Sequence, residues 1–373
     1  MIGSQNSTEL TGDGRNKDCE FTLRLFNDRN HLYANSTTGK KWTGCESPVE
    51  INGLPVSWVP GGHKRKGGAA MIKLERILCP TDLTTESDEA LRYAIALACA
   101  YEAKLMLLYC RQPGSIVEWA SSSRAARLFE LSLFTHTDAK ELKALDWEAV
   151  IIEGDDKGLA IANEAARRNA DLIVMRSRRR PRAAALLGST AETVSRTASC
   201  PVLVTHPSER EWVGLTTNEI DLHRLLIAYD ASPDADLALN YGVSMAQEYQ
   251  AEIHLLNVIS DVEKSEEPKV AWSSAEQESS YEIAARRLQQ AIPKEVFLWC
   301  DIFTAVRCGQ PANEILAYAK EHEIDLICMG ASGTGFSLDR LFGSTVDRVL
   351  RHAPCPVLVS RPTKTAGKAV KAA

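Results

Sequence analysis

Three strings occur twice in this chain. Asp171-Leu-Ile-Val-Met175 returns as Asp325-Leu-Ile-Cys-Met329, Leu187-Gly-Ser-Thr190 as Phe342-Gly-Ser-Thr345, and Cys200-Pro-Val-Leu-Val204 as Cys355-Pro-Val-Leu-Val359. Self-similarity at a fixed spacing constrains the architecture before any single element is assigned. Upstream of each set stands an apolar run ending in aspartate, Ile77 to Asp82 in the first copy and Leu226 to Asp230 in the second. The chain holds two copies of one domain.

Within a copy, strands alternate with helices. The second copy reads as strands at Arg224 to Tyr229, Glu252 to Ile259, Ile302 to Val306, the apolar run ending at Met329, and Pro356 to Ser360. Between them, Ser232 is an N-cap with Pro233 at the first helical position, and Ala238, Tyr241, Met245 and Tyr249 give a helical stripe. Further helices run from Ser273 to Ala291, from Pro311 to Lys320 and after the glycine turn. The first copy follows suit, with strands near Arg76, Lys104, Glu148, Asp171 and Pro201 and helices near Asp88, Ser123, Lys157 and Ala191. Continuous Val, Ile and Leu strands alternating with helices predict an α/β fold, a doubly wound parallel sheet covered on both faces. Ligands of such sheets bind beyond the carboxyl ends of the strands, where strand order reverses. Asp230, the end of the strand at Val258 and the glycine turn all fall there.

That turn spans Met329 to Thr345 and follows a strand and precedes a helix. Glycines there can take φ > 0 and let backbone N–H groups approach a ligand, and a helix opening at Gly343-Ser344-Thr345 offers unpaired donors and the positive end of a dipole. This is a place for phosphate. No Gly-Lys-Ser or Gly-Lys-Thr is present, so it is not a Walker loop, and it lacks Gly-x-Gly-x-x-Gly. What stands is Gly330-x-x-Gly333, nine residues, then Gly343-Ser344.

This pattern resembles the nucleotide-binding motif of the universal stress protein family, whose ATP-binding members carry Gly-x-x-Gly, nine residues, then Gly with Ser or Thr. The resemblance covers residues 71 to about 362. It implies an adenine nucleotide alpha hydrolase-like fold, five parallel strands per domain, and two domains paired through their last strands, Pro201 to Val204 against Pro356 to Val359. It also implies ATP, with Mg²⁺ carried on it, as ligand of the second domain. Carried over residue by residue, Asp230 matches the acidic position near adenine and ribose, Val258 the adenine contact, and Gly330, Gly333, Gly343, Ser344 and Thr345 the phosphate cradle. Each has a plainer role open to it: Asp230 as a cap of the following turn, Val258 as core. The first copy departs where it matters, with Met-Arg176-Ser-Arg178-Arg179 in place of Met-Gly330-Ala-Ser-Gly333 and a loop one residue shorter. ATP is not expected there, although Asp82 and Gly188-Ser189 survive. The arginine run Arg176, Arg178, Arg179, Arg180 and Arg182 is read as a solvated loop; a grip on phosphate or an acidic partner is the sharper alternative.

The expected organisation is an irregular or disordered extension (1–70), domain 1 (71–206), a linker (207–223), domain 2 (224–362) and a disordered tail (363–373). The extension is rich in Gly, Asn, Ser and Thr, with short strands conceivable at Phe21 to Phe26 and Val49 to Val59. Met71 opens the domain so naturally that a start at that residue and a genuine extension stand as rival readings. Net charge is −6, which argues against a general nucleic-acid or anionic-membrane binder. The ten cysteines show no Cys-x-x-Cys pair. Cys79, Cys110, Cys328 and Cys355 lie in or beside apolar strands and read as buried thiols in a reducing, cytoplasmic compartment. No secretory signal or membrane span is evident.

The eight histidines are scattered and no general base or nucleophile is placed in the crevice, so no enzyme is expected. The leading reading is a nucleotide-responsive stress or regulatory protein with an unidentified protein partner. A slow ATPase or self-phosphorylating protein and a nucleotide-free interaction module are the alternatives.

Overall fold

The computed structural model describes residues 20–23, 72–85, 87–114, 122–137, 139–177, 188–206, 210–214, 218–260, 274–333 and 343–361. Strand β1 (Glu20–Leu23) comes from the extension. Domain 1 runs β2 (Arg76–Pro80), α1 (Asp88–Tyr101), β3 (Lys104–Arg111), α2 (Ser122–Phe134), α3 (Ala139–Ala144), β4 (Trp147–Glu153), α4 (Lys157–Arg167), β5 (Leu172–Arg176), α5 (Ser189–Thr197) and β6 (Val202–Thr205). Domain 2 runs β7 (Arg224–Ala228), α6 (Pro233–Tyr249), β8 (Glu252–Ile259), α7 (Ser274–Ala291), a 3₁₀ turn (Lys294–Leu298), β9 (Ile302–Cys308), α8 (Pro311–Glu321), β10 (Leu326–Gly330), α9 (Ser344–His352) and β11 (Val357–Ser360).

Among the described residues the strands form one sheet in the order β1-β9-β8-β7-β10-β11-β6-β5-β2-β3-β4. Each domain contributes five parallel strands, and in both copies the first strand lies between the second and the fourth, so strand order reverses beside β7 and beside β2. The domains join where β11 meets β6 antiparallel, Val357 opposite Val204 and Val359 opposite Val202. Strand β1 adds an antiparallel edge to β9, Phe21 opposite Val306. The Phe21 to Phe26 expectation thus appears as a shorter strand shifted by one residue at its start, while Val49 to Val59 lies outside the described residues, as do Arg178 to Arg182 and the tail.

Strands buried on both faces require helices on both faces. One layer buries small residues of α1 and α6, Ala94, Ala98, Ala238 and Ala246 among them; the other buries Val194 of α5 and Val349 of α9. Both layers draw residues from both domains, so the apolar core runs unbroken across the β6–β11 junction. A cavity of about 20 Å³ between α1 and α6, with Leu97, Tyr241 and Leu358 in its wall, holds no more than a water-sized guest. Burial pushes the thiols of Cys79 and Cys328 up to about 12.

The repeated aspartate of Asp-Leu-Ile has a structural task. Asp325 Oδ2 accepts from the N–H groups of His223 (3.0 Å) and Arg224 (2.8 Å), and Asp171 Oδ2 accepts from Glu75 and Arg76 at 2.9 Å each. In both copies it stitches the amino end of the fourth strand to that of the first, at the end of the sheet away from the glycine turn.

Residues 207–223 do more than connect the domains. Trp212 is buried edge-on against Tyr93 of α1 with ring centroids 4.7 Å apart, and its backbone N–H donates to the Tyr93 hydroxyl at 3.3 Å. Glu211 pairs with the buried Arg92 at 2.9 Å, and Val213 bridges Ile220. A tryptophan in a polar stretch needs a wall to pack on, and α1 supplies it. Tyr93→Phe keeps the ring and removes the long hydrogen bond; a loss of roughly 0.5–1 kcal/mol in urea unfolding is expected.

Candidate functional site

The crevice is built at the carboxyl ends of β7, β8 and β10. Ala228 pairs with Leu256 on one side and Met329 on the other, so Asp230, Val258 and Ala331, each two residues further on, lie at one level. Two bonds hold the floor: the Tyr229 N–H donates to the Leu256 carbonyl at 2.8 Å, and Asn257 Nδ2 donates to the Tyr229 carbonyl at 2.7 Å.

Asp230 has two faces. Its Oδ1 accepts from the Ser232 N–H at 3.0 Å, closing a turn in which Ala231 sits at φ 62°. A non-glycine residue there is strained, and the aspartate bond offsets that strain. Domain 1 repeats the device with Asp82, Leu83 at φ 60° and Thr84. The capping role is therefore real, and it occupies Oδ1. On the other side, a Cβ added to Gly333 would lie 2.7 Å from Oδ2, so the exposed Gly333 backbone rests against that oxygen.

The two ends of the glycine segment come together. The Gly343 N–H donates to the Ala331 carbonyl at 3.2 Å, and the Ala331 N–H donates to the Ser360 carbonyl at 2.8 Å. Gly330, Gly333, Gly343 and the first residues of α9 thus share one rim with Asp230. Helix α9 opens without a side-chain cap, Ser344 exposed and Thr345 half-buried. Val258 is half-buried and packs against the core layer that holds α8 and α9.

The glycines serve different ends. A Cβ on Gly330 would stand 2.7 Å from the Asp234 carbonyl carbon and 2.8 Å from the Ala235 nitrogen, inside the first turn of α6. A Cβ on Gly343 would meet nothing nearer than 3.7 Å, at φ −65°. The fold explains the first glycine and not the second.

In domain 1, the turn before the helix is three residues longer, since α1 opens after Ser87 whereas α6 opens after Ser232. Arg176, the counterpart of Gly330, lies with its Nε 3.3 Å from Glu89 in the first turn of α1. The guanidinium is therefore engaged by α1.

Residues not singled out from sequence tie the rim together. Asp234 Oδ2 accepts from the N–H (3.0 Å) and hydroxyl (2.9 Å) of Ser332, and the Ser360 hydroxyl donates to the Asp234 carbonyl at 3.2 Å. Asp234 reads in sequence as an ordinary acid of a first helical turn. Only the sheet order brings Ser332 and Ser360 to it. Among the described residues no group of three or more His, Cys, Asp and Glu is placed to hold a metal ion, and no helix is long and apolar enough to cross a membrane.

The model of the universal stress protein family matches residues 73–206 and 222–361. A universal stress protein of Mycolicibacterium smegmatis is 27% identical over 300 residues, 77% of this chain and 97% of its own length. The crystal structure of a universal stress protein from Archaeoglobus fulgidus aligns over 78% of this chain and 99% of its own, at a TM-score of 0.53 and 19% identity. A universal stress protein solved in complex with cAMP is 24% identical and covers 37% of this chain and 100% of its own, at a TM-score of 0.30.

Proposed function

The chain belongs to the universal stress protein family, and on that premise we propose that domain 2 binds ATP and that the protein acts as a nucleotide-responsive regulator without turning the nucleotide over. The observation that carries this reading is the closed rim. The Gly343 N–H bond to Ala331 brings both halves of the glycine motif beside Asp230, at a glycine for which the chain itself has no steric need.

In this reading, phosphate oxygens accept from the N–H groups of Ser344 and Thr345 at the positive end of α9. Asp230 Oδ2 accepts from ribose hydroxyls, and Val258 lies against the adenine. Gly333 keeps the backbone low beside Asp230, and Gly330 seats the rim against the first turn of α6. Mg²⁺ comes in on the phosphates, which complete its oxygen shell. Domain 1 lacks counterparts of Gly330 and Gly333 and stays empty of ATP in this reading. Its buried thiols fit a reducing compartment, and we place the protein in the cytoplasm.

Calorimetric titration of the full chain with Mg-ATP tests this. One site per chain and no phosphate release over hours are expected. No heat at ATP well above millimolar overturns the reading. Steady phosphate release that Asp230→Asn abolishes replaces it with a slow ATPase.

A further inference from the structure

Because β6 and β11 run antiparallel, the carboxyl end of each domain's strands lies at the amino end of the other's. The residue that follows β6, His206, is wholly buried, and its Nε2 bonds the Leu350 carbonyl in the last turn of α9. A carbonyl only accepts, so that nitrogen carries the proton. The counterpart after β11, Arg361, donates from Nη1 to the Arg196 carbonyl in the last turn of α5. A third tie crosses the junction from Arg351 of α9 to Glu192 in the first turn of α5, at 3.6 Å, while Asp347 holds the same guanidinium at 2.7 and 2.8 Å. Through His206 and Arg361, each domain grips the other's helix at the end farthest from that helix's glycine turn.

Helix α9 has nine residues, a rod of about 14 Å at 1.5 Å per residue. So short a helix does not hold its place by itself. Three things fix it: its buried face of Val346, Val349 and Leu350, the Gly343 N–H bond at the front, and the closure of its last carbonyls at the back. There the Ala353 N–H takes the Val349 carbonyl at 2.8 Å and His206 takes that of Leu350. Removing the imidazole leaves the Leu350 carbonyl short of its partner from domain 1 and releases the back of a rigid rod whose front N–H groups face the crevice.

We infer that His206, in domain 1, is a positioning residue for the nucleotide site of domain 2, holding α9 from behind so that its first N–H groups stay aimed at phosphate. The inference rests on the ATP reading above. The coupling is reciprocal: nucleotide that steadies the front of α9 steadies the domain junction at its back. Arg361 provides an internal control, because the helix it grips opens on a turn that lacks the Gly330 and Gly333 counterparts.

The test is titration of the full chain with Mg-ATP in four forms: wild type, His206→Ala, His206→Gln and Arg361→Ala. His206→Ala should weaken binding about tenfold, the scale of one buried hydrogen bond. His206→Gln should recover most of it, since its amide N–H reaches the same carbonyl. Arg361→Ala should stay within about twofold of wild type, a bond made on the other helix. Wild-type affinity in a folded His206→Ala, or equal weakening by Arg361→Ala, overturns the inference. Should His206→Ala not fold, hydrogen exchange of the wild type decides: ATP must slow the Ala353 amide at the back of α9 as well as the Asp347 amide at the front, and an unchanged Ala353 overturns it. A wild type that binds no ATP removes the underlying reading, a failure visible before any variant is compared.

Discussion

Gly343→Ala is expected to leave stability within about 1 kcal/mol of wild type while weakening ATP binding at least tenfold, whereas Gly330→Ala should lower stability by about 1–3 kcal/mol. At Gly343 the backbone sits at φ −65° and ψ 139°, which alanine adopts freely, and the added methyl meets only ordinary contacts. Reduced freedom of the unfolded chain favours alanine there, and its poorer N-capping opposes it, so the two nearly offset. In the ATP reading the methyl stands beside the phosphates that the first α9 N–H groups would hold. Gly330 is different, because its methyl would press on the Asp234 and Ala235 backbone at 2.7 and 2.8 Å, and a helix terminus cannot turn aside as a side chain can. Urea unfolding and calorimetric titration of both variants separate the effects. Unchanged ATP affinity in Gly343→Ala would mean that this glycine only turns the chain.

The contrast between these two positions shows what could be read in advance. The repeat, the strand and helix alternation and the Ser232-Pro233 helix start were legible because each is a local pattern with a local cause. The pairing of last strands was implied by family resemblance, and the β6–β11 register carries it out. The reason for Gly330 was not legible, since it depends on where α6 begins, and α6 begins three residues sooner after its strand than α1 does. The same difference sends Arg176 to Glu89. Trp212, Asp234 and His206 escaped notice for one shared reason. Their partners, Tyr93, Ser332 with Ser360, and Leu350, lie about a hundred residues or more away in sequence, and no short-range period points to them. A polar or aromatic side chain whose partner is that distant looks like surface until the sheet order is known.

Acid should weaken the chain through one histidine of domain 2, by about 3 kcal/mol between pH 6.5 and 4. His254 of β8 is buried beneath α8, its Nδ1 sharing a hydrogen bond of 3.0 Å with the Tyr318 hydroxyl and its ring stacked on Phe303 at 5.0 Å. Burial, helped by the nearby His322 and Arg224, pushes its pKa down to about 3, and Glu252, 3.8 Å from Nε2, does not reverse this. In the unfolded chain the ring takes its proton near pH 6.5. The folded state therefore binds fewer protons than the unfolded state between these values, and stability falls as pH falls. The contribution is whole above pH 6.5 and lost progressively toward about 3. The first copy suggests the variant that reads this out, because Met106 stands at the same place in β3, paired with Leu78 as His254 is with Leu226. His254→Met should flatten the pH dependence of the urea-unfolding free energy over this range. Carboxylates elsewhere titrate in both proteins, so the difference between the two curves carries the histidine's share. Parallel curves would mean that His254 accepts a proton in the folded chain as readily as in the unfolded one, and that α8 opens to let it.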